Sequence, residues 1–325
     1  MPHAIRLDEH GGPEVLEWVD IDVGEPGQGE LRLKQTAIGV NYLDVYFRTG
    51  LYKPPSGLPF VPGSEAAGTV EAIGEGVAGF SVGDRVVYQG PLGSYAEVRL
   101  VPAERCVRLP DDIDDKTAAA VFLKGVTVHT LLFRTFPVTK DSVILWHAAS
   151  GGVGVIATQW ASALGATVIG TVGSAEKAEL ARKNGVAHVI NYRDEDFVAR
   201  VKDITGGEGV DVVYDSVGKD TFPGSLDCLK PLGMWVSFGN ASGPPPDFAI
   251  GLLQQKGSLF ATRPTILHYL AKRPDLKVAA EGLFDVLRAK KVQVEIGQQF
   301  ALKDAADAHR ALEARKTIGS TILLP

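Results

Sequence analysis

The hydrophobic rhythm of the chain changes once. Up to about residue 110, apolar and polar positions alternate in short runs broken by glycine and proline: ELRLKQTAIGV, EAAGTVEAIGEGV, GDRVVYQG and GSYAEVRLV. A period of two puts alternate side chains on one face, so these runs predict short strands in a mainly β module. The stretch RTGLYKPPSGLPFVPG lies inside that module, too early to link domains, and reads as a functional loop.

From about residue 117 the apolar positions recur every three or four. DDKTAAAVFLKGVTVHTLLFRTF predicts a helix ending near Pro137. Strands and helices then alternate: VILWHAA, GGVGVIATQWASALG, TVIGTV, SAEKAELARKNG, HVINY, DEDFVARVKDITGG. VDVVYDSVG, DTFPGSLDCLKPLG, MWVSFG and SLFATR complete the run. Repeated βα units with short joints predict an α/β fold with a doubly wound parallel sheet. In the helix after VILWHAA, Val153, Ile156, Ala157, Trp160 and Leu164 fall on one face, and Gly165 is a natural stop. Beyond about 265 come a helix, VEIGQQF, a helix through DAADAHRALEA and a final STILLP, expected to rejoin the first module.

Composition narrows the classes. The 325 residues are 45% hydrophobic and 22% charged, enough for a sizeable core and two domains. A net charge of −6 disfavours non-specific nucleic-acid binding. Two cysteines, Cys106 and Cys228, are too few for a disulfide framework or a cysteine-rich zinc site and read as small buried hydrophobes. The start MPHAIRLDEHGG has no apolar signal core, and no apolar run is long enough to span a membrane, so a soluble cytoplasmic protein is expected.

The chemistry concentrates at HAASGGVG, residues 147–154. The pattern Ala148-x-x-Gly151-x-x-Gly154 is a variant of GxGxxG, with Ala at the first position, and sits between a buried-type strand and a helix. There the backbone amides of Ala149, Ser150, Gly151, Gly152, Val153 and Gly154 can cradle a pyrophosphate, helped by the positive end of the helix dipole. An NAD site wants an acid about 20 residues further on, for the ribose hydroxyls. This chain has Gly173-Ser174 there, with Lys177 one turn on and Tyr192 and Arg193 ending the next strand. The missing carboxylate and the added cation point to a 2′-phosphate, hence to NADPH; Glu176 suits a helix first turn.

With these pieces in place, the whole chain resembles the medium-chain dehydrogenases/reductases. Within them it resembles the zinc-free NADPH:quinone reductases related to ζ-crystallin. GVNYLDVYFRTGLY (39–52), PGSEAAGTVEAIGEGV (62–77), GDRVVY (83–88), FLKGVTVHTLL (122–132), NYRDED (191–196), YDSVG (214–218) and VSFGNASG (236–243) carry the likeness with the glycine turn. The resemblance implies a GroES-like, mainly β catalytic domain over 1–124 and 266–325, and a Rossmann NADPH-binding domain over 125–265. It also implies that Asn41, Tyr46 and Tyr52 face the cofactor and the acceptor, and that Thr127 meets the nicotinamide carboxamide. Ser216 and Gly218, then Phe238, Gly239 and Ser242, line the carboxyl edge of the sheet, and Arg263 reaches the cofactor or substrate mouth. Zinc alcohol dehydrogenases carry a cysteine near Asn41, GHE where this chain has Gly63-Ser64-Glu65, and four clustered cysteines, none of which is present. An acceptor needing little Lewis-acid help, a quinone, is therefore expected.

His147 and His129 read as structural, and Glu65 as a buried carboxylate partnered by Arg85 or a backbone N–H. If SLFATR is the outer strand of the sheet, its unpaired edge predicts an isologous homodimer. Two rivals remain: an NADPH-dependent enone or double-bond reductase, and a nucleotide-bound RNA-binding protein. Acidic composition and scattered Lys and Arg stand against the second.

Overall fold

The computed structural model describes residues 1–314 and 317–325. Strands β1 (His3–Arg6) and β2 (Glu17–Asp20) pair with each other. A larger sheet begins with β3 (Glu30–Val40), from which helix α1 (Tyr42–Arg48) departs. It continues with β4 (Glu65–Ile73), β5 (Arg85–Gln89), β6 (Val98–Pro102) and β7 (Cys106–Arg108). The alternation in β3 is real at its start, where Leu31, Leu33 and Gln35 are buried between more exposed neighbours. The run GSYAEVRLV forms a strand only over its last part, from Val98, and Tyr95 ahead of it is fully buried.

Helix α2 (Asp115–Thr130) follows, with a π-helical turn at Leu131–Thr135. Then come β8 (Val143–Trp146), α3 (Gly152–Ala163), β9 (Thr167–Val172), α4 (Ala175–Lys183), β10 (His188–Asn191) and α5 (Phe197–Ile204). They are succeeded by β11 (Val210–Asp215), α6 (Gly224–Asp227), β12 (Leu229–Ser237), α7 (Gly251–Gln255) and β13 (Phe260–Thr262). All neighbours in this sheet are parallel, in the order β10-β9-β8-β11-β12-β13. That is the 3-2-1-4-5-6 order of a Rossmann sheet, reversing direction beside β8. Leu145, Ile169, Ile190, Val213 and Trp235 form its core, as expected of strands covered on both faces. DTFPGSLDCLKPLG is helical only at Gly224–Asp227; its second half joins β12.

Helix α3 departs from its expected single apolar face. Val155 and Thr158 are buried with Ile156, Ala157 and Trp160, whereas Val153 and Leu164 are half-buried. A Cβ on Gly154 would fall well inside 3.0 Å of Ala148 and Ala149 backbone, so the glycine lets the helix lie directly on that turn. Positions flanking the expected stripe are thereby covered as well.

The chain ends with α8 (Ile266–Tyr269), α9 (Arg273–Arg288), β14 (Ile296–Ala301), α10 (Ala305–Glu313) and β15 (Ser320–Leu324). Strand β15 lies between β14 and β3, completing a sheet of order β14-β15-β3-β4-β5-β7 with β6 also on β3. The chain divides into two compact units. The first comprises 1–124, 273–284 and 294–325; the second comprises 125–272 and 285–293. Residues 266–272 therefore group with the second unit, where Arg134 donates to the Tyr269 carbonyl at 2.7 Å and covers its ring. Residues 285–293 also group there, through reciprocal hydrogen bonds between Gln159 and Gln293.

Candidate active site

On the first unit, Asn41 sits where β3 hands over to α1, as the extended N-cap residue of that helix. Its side-chain amide donates to Glu65 Oε1 at 2.7 Å. Glu65 opens β4, next to β3, and fits there because Gly39 has no side chain; a Cβ at 39 would overlap the Glu65 carboxylate. The Leu123 N–H donates to Glu65 Oε2 at 2.6 Å, and Lys124 Nζ to Oε1 at 3.1 Å. Glu65 is fully buried and Lys124 nearly so. A buried charge is tolerated when paired and hydrogen-bonded, which this one is. The expected partner Arg85 is engaged elsewhere, on Asp115 at 2.6 Å, whereas the backbone N–H expected as the other option is present.

Tyr46 and Tyr52 are half-buried and meet edge to face, with ring centroids 5.3 Å apart. Tyr42 and Phe47 extend the group, and the Tyr52 N–H is held by the Tyr46 carbonyl at 3.0 Å. The result is an aromatic patch close to Asn41 in sequence, with phenol groups on its three tyrosines.

Sequence reasoning missed what lies beneath Asn41. Asp44 Oδ2 accepts the Asn41 backbone N–H at 2.8 Å and the Tyr95 hydroxyl at 3.1 Å. Burial pushes the Asp44 carboxyl up to about 7, against the pull of those two donors and Lys124 and with the push of Glu65. From the sequence, Asp44 looks like any acid in a helix first turn. Tyr95 and His309 give no signal, because 214 residues separate the two.

On the second unit, the glycine turn precedes α3. Ala148, at the first fingerprint position, is left-handed with φ 55°, a conformation that glycine adopts more easily. Ala149 and Ser150 are buried; Gly151 is the exposed N-cap residue, with Gly152 and Val153 half-buried behind it. No side chain caps this helix and no acid stands in its first turn. In α5, by contrast, Asp196 takes the Val198 and Ala199 amides. Two of the expected cradle amides are already engaged, the Ala149 N–H on the Thr171 carbonyl at 3.0 Å and the Gly151 N–H on the Ala148 carbonyl at 2.9 Å, so the donors at the α3 terminus for a dinucleotide pyrophosphate are those of Gly152, Val153 and Gly154.

The next βα turn supplies Gly173, Ser174 and Lys177. Ser174 Oγ accepts the Lys177 N–H at 3.3 Å as N-cap, leaving its own O–H to donate outward. Lys177 is half-buried, and Tyr192 lies over Gly173. Thr127, half-buried on α2, belongs to this unit too.

The carboxyl edge beyond β11 and β12 is tightly built. Asp215 accepts from the Val217 and Gly218 amides, Thr221, Ser225 and Trp235. The loop at Ser216 packs on Gly239, whose Cβ would strike Ser216 backbone. Phe238 rests on Trp146, with centroids 5.5 Å apart. Ser242 is turned inward, donating to the Val217 carbonyl at 2.9 Å and accepting from the Asp220 N–H at 3.0 Å, so it braces the loop. Arg263 donates to Ser237 at 3.1 Å and to the Gly239 carbonyl at 2.9 Å, which ties β13 to the same edge. His147 bridges Thr171 and Ser225, and His129 packs on Phe133 and Trp160, both structural as expected. Burial pushes both cysteine thiols up to about 12.

A Rossmann unit with a glycine turn, joined to a mainly β unit to which the chain returns at its end, defines the medium-chain dehydrogenases and reductases. A family profile described as alcohol dehydrogenase GroES-like domain matches residues 27–111, and one described as zinc-binding dehydrogenase matches 152–276. A quinone oxidoreductase of Salmonella typhimurium is 52% identical over 100% of both chains, and a 2-haloacrylate reductase of a Burkholderia species is 47% identical over 100% of this chain and 99% of its own. A crystal structure of Escherichia coli quinone oxidoreductase complexed with NADPH is 49% identical. It superposes with a TM-score of 0.97 over 99% of this chain and 100% of that one. The chain belongs to the quinone oxidoreductase family of the medium-chain dehydrogenase/reductase superfamily.

The zinc in the second profile's description does not fit the residues present. Asn41 and Ser64 offer neither thiolate nor imidazole, and both Glu65 oxygens are taken by Asn41, Leu123 and Lys124. Among the described residues, no group of three or more His, Cys, Asp and Glu is placed to hold a metal ion.

Proposed function

We propose that this protein is an NADPH-dependent quinone reductase. The observation that carries the reading is the uncapped glycine terminus of α3, paired with Ser174, Lys177 and Tyr192 where an NAD site has an acid. Amides of residues 152–154 hold the pyrophosphate, and the Ser174 hydroxyl, Lys177 ammonium and Tyr192 phenol hold the 2′-phosphate. Bound reduced nicotinamide supplies a hydride. The chain's part is to orient and to stabilise charge. Asn41 donates to the acceptor carbonyl or the nicotinamide ribose, and Tyr46 and Tyr52 stack on a flat ring and offer O–H groups. Thr127 meets the carboxamide. Ser216, Phe238, Gly239 and Ser242 shape the nicotinamide end, braced by Arg263. The first unit is the catalytic domain and the second the nucleotide-binding domain.

Electron-poor double bonds present the same demand, and one relative, at 47% identity, is named for reducing a haloacrylate. Steady-state rates with 1,4-benzoquinone, 9,10-phenanthrenequinone and a linear enone decide between these acceptors. Quinone turnover with NADPH is expected; turnover of the enone alone overturns the assignment. Titration of wild type and Lys177→Ala with NADPH and NADH tests the cofactor site. NADPH is expected to lose about tenfold or more in affinity, with NADH little changed.

The enzyme works as a homodimer in this reading. Supporting it, β13 is the outer strand of its sheet, and Phe260 on it is 57% exposed. Pairing two such edges satisfies both. Light scattering of wild type and Phe260→Glu is the check, with a shift to monomer expected. We place the enzyme in the cytoplasm; no described helix is long and apolar enough to cross a membrane.

A further inference from the structure

The interior of the first unit contains a hydrogen-bond chain that the reading above does not use. Arg48, 1% exposed, reaches His309 Nδ1 at 3.2 Å, Glu313 Oε1 at 2.7 Å and the Gly11 carbonyl at 3.1 Å. His309 Nε2 lies 3.0 Å from the Tyr95 hydroxyl, which lies 3.1 Å from Asp44 Oδ2. Asp44 Oδ2 also takes the Asn41 backbone N–H.

The direction of every proton in this chain follows from its far end. A guanidinium only donates. His309 Nδ1 therefore accepts, and the imidazole is neutral, since burial and Arg48 push its pKa down to about 3. Its single N–H is on Nε2 and donates to the Tyr95 oxygen. Tyr95, its own pKa driven up by burial and by Asp44, then gives its O–H to Asp44 Oδ2. With two donors aimed at it, Oδ2 has no place for a proton. A proton on Asp44 sits on Oδ1, which is buried and has no hydrogen-bond partner among the described residues.

The charged neighbours are paired off. Glu65 on β4 is matched by Lys124 on α2, and Arg48 on α1 by Glu313 on α10. His309 and Tyr95 are neutral. Gain or loss of the Asp44 proton is thus a change in the net charge directly behind Asn41.

We propose that Asp44 is a positioning residue for the reduction, and that the competent form carries its proton on Oδ1, keeping the ground behind Asn41 neutral. The inference rests on the reading that Asn41 meets the acceptor. Addition of hydride to a quinone leaves negative charge on its oxygens, and a carboxylate behind the group that stabilises that charge opposes the step. The Asp44 proton is not transferred to product; it only sets the field.

Two measurements test this, one without cofactor or quinone. In the free protein, the Asn41 amide ¹⁵N shift is followed from pH 5 to 9. A titration with midpoint near 7 is expected in wild type, and its loss in Asp44→Asn, whose amide oxygen takes both donors and whose NH₂ replaces the protonated oxygen. In turnover at saturating NADPH and quinone, wild-type kcat is expected to fall as pH rises through the same midpoint. Asp44→Asn keeps its low-pH rate to within about twofold. An Asn41 shift that does not titrate, or that titrates identically in the variant, overturns the proposal, as does an unchanged kcat profile. Should Asp44→Asn fail to fold, Tyr95→Phe serves, since it deletes one donor to Oδ2. A midpoint raised by about half a unit or more supports the proposal, and an unmoved midpoint overturns it. The shift titration stands even if the enzyme proves to prefer another acceptor.

Discussion

Tyr192 lies against the bare Cα of Gly173: a Cβ there would fall well inside 3.0 Å of the phenol oxygen. The two residues end neighbouring strands, β9 and β10, which pair in parallel register up to Val172 and Asn191. The absence of a side chain at 173 is what lets Tyr192 cross the turn that carries Ser174 and Lys177. Tyr192 is 45% exposed, so it can swing away at little cost to the fold. Gly173→Ala is therefore expected to weaken NADPH binding by about tenfold while changing Tm by less than about 2 °C. Calorimetric titration and thermal denaturation of the same samples check both halves.

Ala148 strains the turn it occupies. An L-residue at φ 55° costs about 1 kcal/mol relative to glycine. Ala148→Gly is expected to gain up to about that much, offset partly by the larger entropy of the unfolded glycine. Urea unfolding monitored by tryptophan fluorescence measures the change, and a clear loss of stability would contradict the strain.

The Lys124–Glu65 pair carries a sharper penalty. Lys124→Met leaves a buried carboxylate facing only neutral donors and is expected to cost about 3–5 kcal/mol. Adding Glu65→Gln removes the charge and is expected to restore at least about 1 kcal/mol. A double-mutant cycle by chemical denaturation gives the coupling. Additive losses would mean that the pair does not interact.

Stability should also respond to pH through Asp44. Its folded pKa, about 7, lies above the ordinary 3.8, so between those values the folded state holds a proton that the unfolded state has lost. Stability from this group therefore falls as pH rises, by up to about 1.4 kcal/mol per pH unit, and levels off above about 7. His309, kept neutral when folded, acts in the opposite sense below about 6.5, so the comparison is made by difference. The stability of Asp44→Asn relative to wild type is expected to increase from pH 4 to 7 and then stay constant. A flat difference across that range would refute the shift.

The local geometry of the two βα turns was legible because spacing specifies it. The turn at 151–154, Ser174 as an N-cap and Lys177 three residues on are set by positions a few residues apart, where backbone geometry alone brings groups together. The Asp44–Tyr95–His309–Arg48 chain was not legible. Its members come from α1, the segment before β6, and α10, and no pattern of spacing links residues 214 or 261 apart. Glu65 lay between these cases. That it needed a partner followed from its type, but which partner depended on how β4 and α2 pack, and Lys124 took the place proposed for Arg85.

The order of residues by itself determined the two-part α/β architecture, the parallel βα run and the glycine-led cradle. Periodicity, turn residues and helix caps act over one or two turns of chain and need no distant contact. Only the tertiary structure decided which buried charges meet, which way each proton points beneath Asn41, and that Tyr192 closes over Gly173. Those facts arise where strands and helices remote in sequence are pressed together, and burial rather than spacing sets their energies.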